Sequence, residues 1–120
     1  MLKISLHAYS SAEQLELQSR MARVVTECNG WIVEETTLSP AACFLRFEIA
    51  LAEIAELYAA LQQAGLHLMP LAHRALTEMC QCRKHLLSSG EARIVSVNLH
   101  LGTMDEEHVQ FRRYTRIHPV

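Results

Sequence analysis

The sequence predicts a single α+β domain in which an antiparallel sheet carries helices on one face. Three observations support this prediction. Residues 2–9, 43–49 and 92–101 alternate apolar and polar side chains with the period of a half-buried strand. The segments between them repeat apolar residues with the period of a helix. Half of the 120 residues are apolar, which is enough to build a core without disulfides or metals.

The chain opens with a strand and a helix. Strict alternation predicts the strand over residues 2–9, which read LKISLHAY. Ser10 followed by Glu13 matches a capping box, so we expect a helix to begin there and to end near Cys28. Asn29-Gly30 supplies the left-handed residue that commonly ends a helix.

A β-hairpin is predicted next, over residues 31–49, with Ser39-Pro40 at its turn. The second arm, 43–49, alternates clearly and places its apolar residues on one face. The first arm, 31–38, leaves open which residues face the core, since two alternating pairs compete: Trp31 and Val33, or Ile32 and Leu38.

Two segments compete to be the closing strand of the sheet. A helix over residues 50–64 completes the order β-α-β-β-α, and the short segment 66–69 follows it directly. Residues 92–101 (ARIVSVNLHL) alternate over a longer span, after a third helix at about 71–88 that Pro70 opens. We therefore expect 92–101 to be the central closing strand and 66–69 to be a short link or an edge strand.

The last segment, residues 108–117 (HVQFRRYTRI), also alternates and predicts one more strand. Two placements are open: a hairpin with 92–101, or a contact with a second subunit. The segment holds Arg112, Arg113 and Arg116, which we interpret as solvated strand residues in preference to a binding arm.

The predicted order of elements resembles the ferredoxin-like fold (βαββαβ), and within it the ACT-like domain family. The resemblance covers residues 2–101 and depends on the order and periodicity of the elements. It implies one ACT-like domain over residues 1–120, acting as a small regulatory module that pairs as a homodimer and binds amino acids or similar ligands at the interface. The turn Ala8-Tyr9-Ser10-Ser11 departs from the family, which typically places an Asp and a Gly there.

The candidate ligand-binding residues lie on the outward face of the predicted sheet. His7 and Tyr9 belong to the first strand, Asn98 and His100 to the closing strand, and Arg46 to the hairpin. Neighbouring strands bring such side chains together, and imidazole suits proton transfer near neutral pH. The alternative is a solvated or dimer-contacting face, which is normally polar in the same alternating way.

A metal site is not expected from the four cysteines. Cys80 and Cys82 lie near His73 and His85, but residues two apart on a helix point about 200° away from each other. Each helix face then offers only two ligands, whereas structural zinc takes four. We expect reduced thiols, with neither a metal nor a cofactor.

Charge and hydropathy set expectations for partners and location. The net charge of −2 and the pI of about 6.4 give no electrostatic footprint for nucleic acid. No apolar run approaches the roughly 20 residues of a membrane span, and MLKISLHAYSS has no apolar signal-peptide core. We expect a cytoplasmic protein without a nucleic-acid or membrane partner.

Three classes of function remain open at this point. The first and preferred one is the ACT-like regulatory or interaction module. The second is a small cofactor-free enzyme, such as the dimeric α+β barrel monooxygenases and isomerases, using His7, Tyr9, Asn98 or His100. The third is a structural subunit of a larger assembly.

Overall fold

A computed structural model of the chain describes residues 2–12, 14–88 and 94–103. These ranges contain five strands, three helices and a short 3₁₀ turn at Leu51–Glu53. In chain order the elements are β1 (Leu2–Ser10), α1 (Gln14–Glu27), β2 (Trp31–Ser39), β3 (Ala42–Ala50), α2 (Ile54–Gln63), β4 (His67–Leu68), α3 (Pro70–Ser88) and β5 (Ile94–Thr103). No helix in the described ranges has the length and hydropathy needed to cross a bilayer.

The strands form one mixed sheet in the order β2-β3-β5-β1-β4. The α+β class is therefore confirmed. β5, at Ile94–Thr103, is a central strand where 92–101 was predicted, and β4 is an edge strand within 66–69. The prediction of an antiparallel sheet is wrong at its centre, because β1 and β5 run parallel from Leu2↔Val95 to Ser10↔Thr103. The exact βαββαβ topology is not confirmed, since β5 lies between β1 and β3.

The parallel pair follows from the path of the second crossover. β4 has two residues, which pair with Ala8 and Tyr9 near the end of β1. α3 follows at once and packs against β1, and its later residues Met79 and Leu86 line a cleft with Leu2 at the start of that strand. The chain thus returns to the end where β1 begins, so β5 starts there and runs parallel to β1.

One face of the sheet, called here the covered face, packs against the helices. Leu6 of β1, Phe47 of β3 and Leu99 of β5 are completely buried on it. They join the buried residues of the helices, such as Met21 and Leu57, in one core cluster. The opposite face, called the open face, leaves the side chains of Lys3, Ser5, His7 and Arg46 exposed.

The structure resolves the first arm of the hairpin. Ile32 pairs with Phe47 and is half-buried on the covered face, whereas Trp31, Val33 and Leu38 are exposed. The register shifts between Ile32 and Glu34, which explains why alternation alone could not assign this strand. Both edges of β5 are occupied in the described part of the chain, by β1 and β3. Residues 108–117 lie outside the described ranges.

The predicted helix ends fall close to the observed ones. Asn29 has φ 61° and Gly65 has φ 86°, as left-handed residues that end α1 and α2. The Ser10 hydroxyl accepts a hydrogen bond from the Ala12 N–H at 3.1 Å, and α1 begins only at Gln14. Glu13, the other half of the predicted capping box, lies outside the described residues.

Candidate functional site

Strand register brings three rings into one row across the open face. His7 of β1 pairs with His100 of β5, and His100 pairs with Phe44 of β3. The two imidazoles are stacked, with ring centroids 4.3 Å apart and planes 4° apart. The Phe44 ring lies 5.0 Å from that of His100 and is tilted by 56°. We call His7 and His100 the imidazole stack.

Tyr9 extends this ring surface toward the end of the sheet. It lies two residues beyond His7 on the same face of β1, and its register partner on β5 is Gly102. A Cβ at position 102 would lie 2.8 Å from the Tyr9 ring. The ring therefore rests over the glycine backbone, and only a residue without a side chain leaves it that space.

Two cavities adjoin the imidazole stack and share His7 and Tyr9 in their linings. The smaller, of about 320 Å³, lies between these residues, His100 and the β2–β3 turn, with Leu38 and Ala41. The larger, of about 530 Å³, lies between β1 and the start of α3; its other lining residues are Ser5, Met69, Pro70, Leu71 and Ala72. We call the two cavities together the His7 groove.

The His7 groove is electrically neutral apart from its histidines. The lining residues that the structure describes include no Lys, Arg, Asp or Glu. Burial, with a further contribution from the charge of His7, lowers the pKa of His100. A lowered pKa keeps His100 unprotonated at neutral pH, so its ring offers both a donor and an acceptor nitrogen.

Of the five predicted ligand-binding residues, the structure brings three together in the groove: His7, Tyr9 and His100. Asn98 and Arg46 pair with each other one row further along the open face. Neither of them lines the two cavities, and Arg46 is exposed beside its other register partner, Glu34. They form a polar margin next to the groove.

Leu38 and Leu71 belong to this site although they were not assigned to it from the sequence. They come from the end of β2 and the first turn of α3 and are 61% and 74% exposed. Each adds apolar surface to one of the two cavities. Leu71 lies outside the buried stripe of α3, which contains Ala72 and Leu76, and this could have marked it as a surface residue. Only the fold places it beside β1.

The cysteines and the remaining helix histidines do not converge on this groove. α3 is continuous through Cys80 and Cys82, which are half-buried and exposed, respectively. His73 lies 2.6 Å from the Tyr58 hydroxyl and links α3 to α2. The described residues contain no group of three or more side chains that could hold a metal ion.

Comparisons with models of known protein families, with curated proteins and with solved structures found no match for this chain. The basis for a functional proposal is therefore the geometry of the His7 groove.

Proposed function

We propose that this chain is a small regulatory or interaction module of the ACT-like kind, which binds a small molecule in the His7 groove. The observation that supports this most is the position of His7 and Tyr9, which line both cavities beside the imidazole stack. A concave apolar site with a few convergent polar groups is the usual form of a small-molecule site.

The lining of the larger cavity indicates the kind of ligand. Met69, Pro70 and Leu71 offer an apolar wall, and Ser5, His7 and Tyr9 offer hydrogen-bonding groups on the opposite side. A ligand with an apolar part and polar groups but no net charge suits this neutral lining. The ACT-like resemblance implies amino acids or similar ligands, whose ammonium and carboxylate groups would need hydrogen bonds from Ser5, His7 and Tyr9 in this lining.

Thermal unfolding in the presence of each standard amino acid tests the proposal. A compound that binds only the folded chain raises the midpoint temperature. We expect at least one to do so for the wild type and not for a His7→Ala/His100→Ala variant. His85→Ala removes an exposed histidine from the last turn of α3 and serves as the matched control, which should retain the effect. If no compound raises the midpoint, or if the double variant responds as the wild type does, the proposal is wrong.

Homodimer formation belongs to the same proposal. A second copy placed on the open face would cover Phe44 and Tyr9, which are already half-buried, and would close the groove. Light scattering after size exclusion is expected to give twice the chain mass of 13.6 kDa. If the chain is a monomer that still binds ligand, the dimer part of the proposal is wrong and the ligand-binding part is retained.

One observation favours an acid–base enzyme as a second candidate function. Because burial and His7 lower the pKa of His100, an unprotonated imidazole faces the groove at neutral pH and can accept a proton. The two functions differ in the fate of the bound compound. A binding module returns it unchanged, whereas an enzyme converts it, so the NMR signals of the compound followed over hours separate them.

A further inference from the structure

β2 has a long free edge in the described part of the chain. It pairs with β3 on one side only, and its other side is the outer edge of the sheet. Eight of its nine residues are exposed, Ile32 alone being half-buried. Such an edge presents a row of backbone donors and acceptors to which another extended segment can pair.

We propose that the outer edge of β2 is the docking site for residues 108–117 of the same chain, which pair with it in antiparallel orientation. Alternation in HVQFRRYTRI predicts that this segment is extended. The proposal is independent of the ligand proposed for the His7 groove.

The position of Thr103 makes this pairing possible within one chain. Its N–H donates a hydrogen bond to the Ala41 carbonyl at 2.8 Å, so the chain leaves β5 beside the β2–β3 turn. A strand paired with the outer edge of β2 would lie three strand spacings from β5, or about 14 Å. An extended chain from Thr103 to residue 108 spans about 16 Å, which covers that distance.

Charge selects β2 over other extended partners for this segment. β2 carries Glu34 and Glu35 at its centre, and the segment carries Arg112 and Arg113 at its own centre. Antiparallel pairing of Glu35 with Arg112 also places Arg113 opposite Glu34. Cross-strand pairs of opposite charge stabilise a sheet, and like charges opposite each other destabilise it.

The two other candidates fit less well. A second copy of β2 paired antiparallel about the strand centre would place acidic residues 34 and 35 of the two chains opposite each other, which is unfavourable. The opposite edge of the described sheet consists of β4, which has only two residues, and of the start of β1, where Lys3 is exposed and α3 packs nearby. A basic segment is repelled there and attracted to β2.

A charge-reversal cycle in the full chain tests the proposal. The three variants are Arg112→Glu/Arg113→Glu, Glu34→Arg/Glu35→Arg and the quadruple combination. The first readout is amide hydrogen exchange of the β2 N–H groups that face away from β3. We expect exchange to accelerate about tenfold or more in each double variant and to return toward the wild-type rate in the quadruple variant.

Trp31 gives a second readout, because it is the single tryptophan of the chain and lies on β2. Docking of the segment shields its indole, so acrylamide should quench the fluorescence of the Arg112→Glu/Arg113→Glu variant more strongly. Arg23→Glu/Arg74→Glu is the matched control, since it makes the same charge change at exposed positions on α1 and α3. It should change neither readout.

Two results would overturn the proposal. One is equal exchange of the outward β2 amides in all variants. The other is protection that disappears on dilution together with a dimer, because the segment would then dock on a second copy instead of its own chain.

Discussion

Neighbouring residues along each strand point to opposite faces of the sheet, and the two faces have different environments. On β3, Phe47 is completely buried on the covered face, whereas Phe44 on the open face is half-buried and contacts only the His100 ring among the ring contacts described. On β1, Leu6 and His7 are adjacent, and Leu6 is buried on the covered face whereas His7 is exposed on the open face. The side chains of the covered face thus form the folded core, and the rings of the open face remain accessible for binding.

The largest expected effect contrasts the two phenylalanines of β3. Phe47→Ala leaves a cavity in the core and should lower the free energy of unfolding by about 3–5 kcal/mol. Phe44→Ala removes a half-buried ring from the open face and should lower it by about 1–2 kcal/mol. Urea unfolding measures both. Equal losses would show that the open face is as important for folding as the covered face.

Gly102→Ala tests whether the Tyr9 ring rests over the backbone of Gly102 on the open face. The added methyl group would meet the Tyr9 ring at 2.8 Å, so the ring must move, at a cost of about 1–3 kcal/mol in unfolding free energy. The same substitution in a Tyr9→Ala background should cost much less, since nothing then occupies that space. A cost that is the same in both backgrounds would mean that the clash is not with Tyr9.

The pH dependence of stability should come partly from the open face. Because the pKa of folded His100 lies below its ordinary value of about 6.5, the unfolded chain binds more protons there. The stability from this site is present above about pH 6.5 and is lost as the pH falls toward the folded pKa. His100→Gln should therefore lose less stability than the wild type between pH 7 and pH 5 in urea unfolding. An unchanged pH profile would contradict the role of His100.

The smallest expected effect is a difference in reaction rate between two thiols, Cys28 in the core and Cys82 on the surface. Burial, and then the charges of Glu53, Glu56 and Glu27, raise the pKa of the Cys28 thiol. Cys82 is exposed on α3. A disulfide reagent such as DTNB should modify Cys82 quickly and Cys28 only at the rate of local opening. Rapid modification of Cys28 in the native chain would indicate that this part of the core is open.

Much of the fold could be predicted because the central strands alternate without interruption. The pattern of 2–9, 43–49 and 92–101 assigned Leu6, Phe47 and Leu99 to one face and His7 and His100 to the other. The parallel direction of β5 could not be predicted. It depends on a two-residue β4 and on the path of α3 back along β1, neither of which leaves a periodic pattern.

The site was predictable only where it lies on regular strands. His7, Tyr9 and His100 follow from alternation and register, and they line the groove. Asn98 and Arg46 were predicted in the same site but lie one row away from it. Their row is set by the register of β3 and β5, which alternation along a single strand does not reveal. Leu38 and Leu71 join the site from the end of β2 and from the start of α3. Only tertiary structure brings those two residues to the groove.

NMR of ring-labelled histidines tests the central claim most directly, that the His7 groove of the open face binds a small molecule. The chain has seven histidines, so the signals of His7 and His100 can be assigned by single substitution and followed while each standard amino acid is added. The account predicts saturable shifts of these two signals with at least one compound, while the signal of His85 in the last turn of α3 stays in place. If no compound moves them, or if only other histidines respond, the groove is not the binding site.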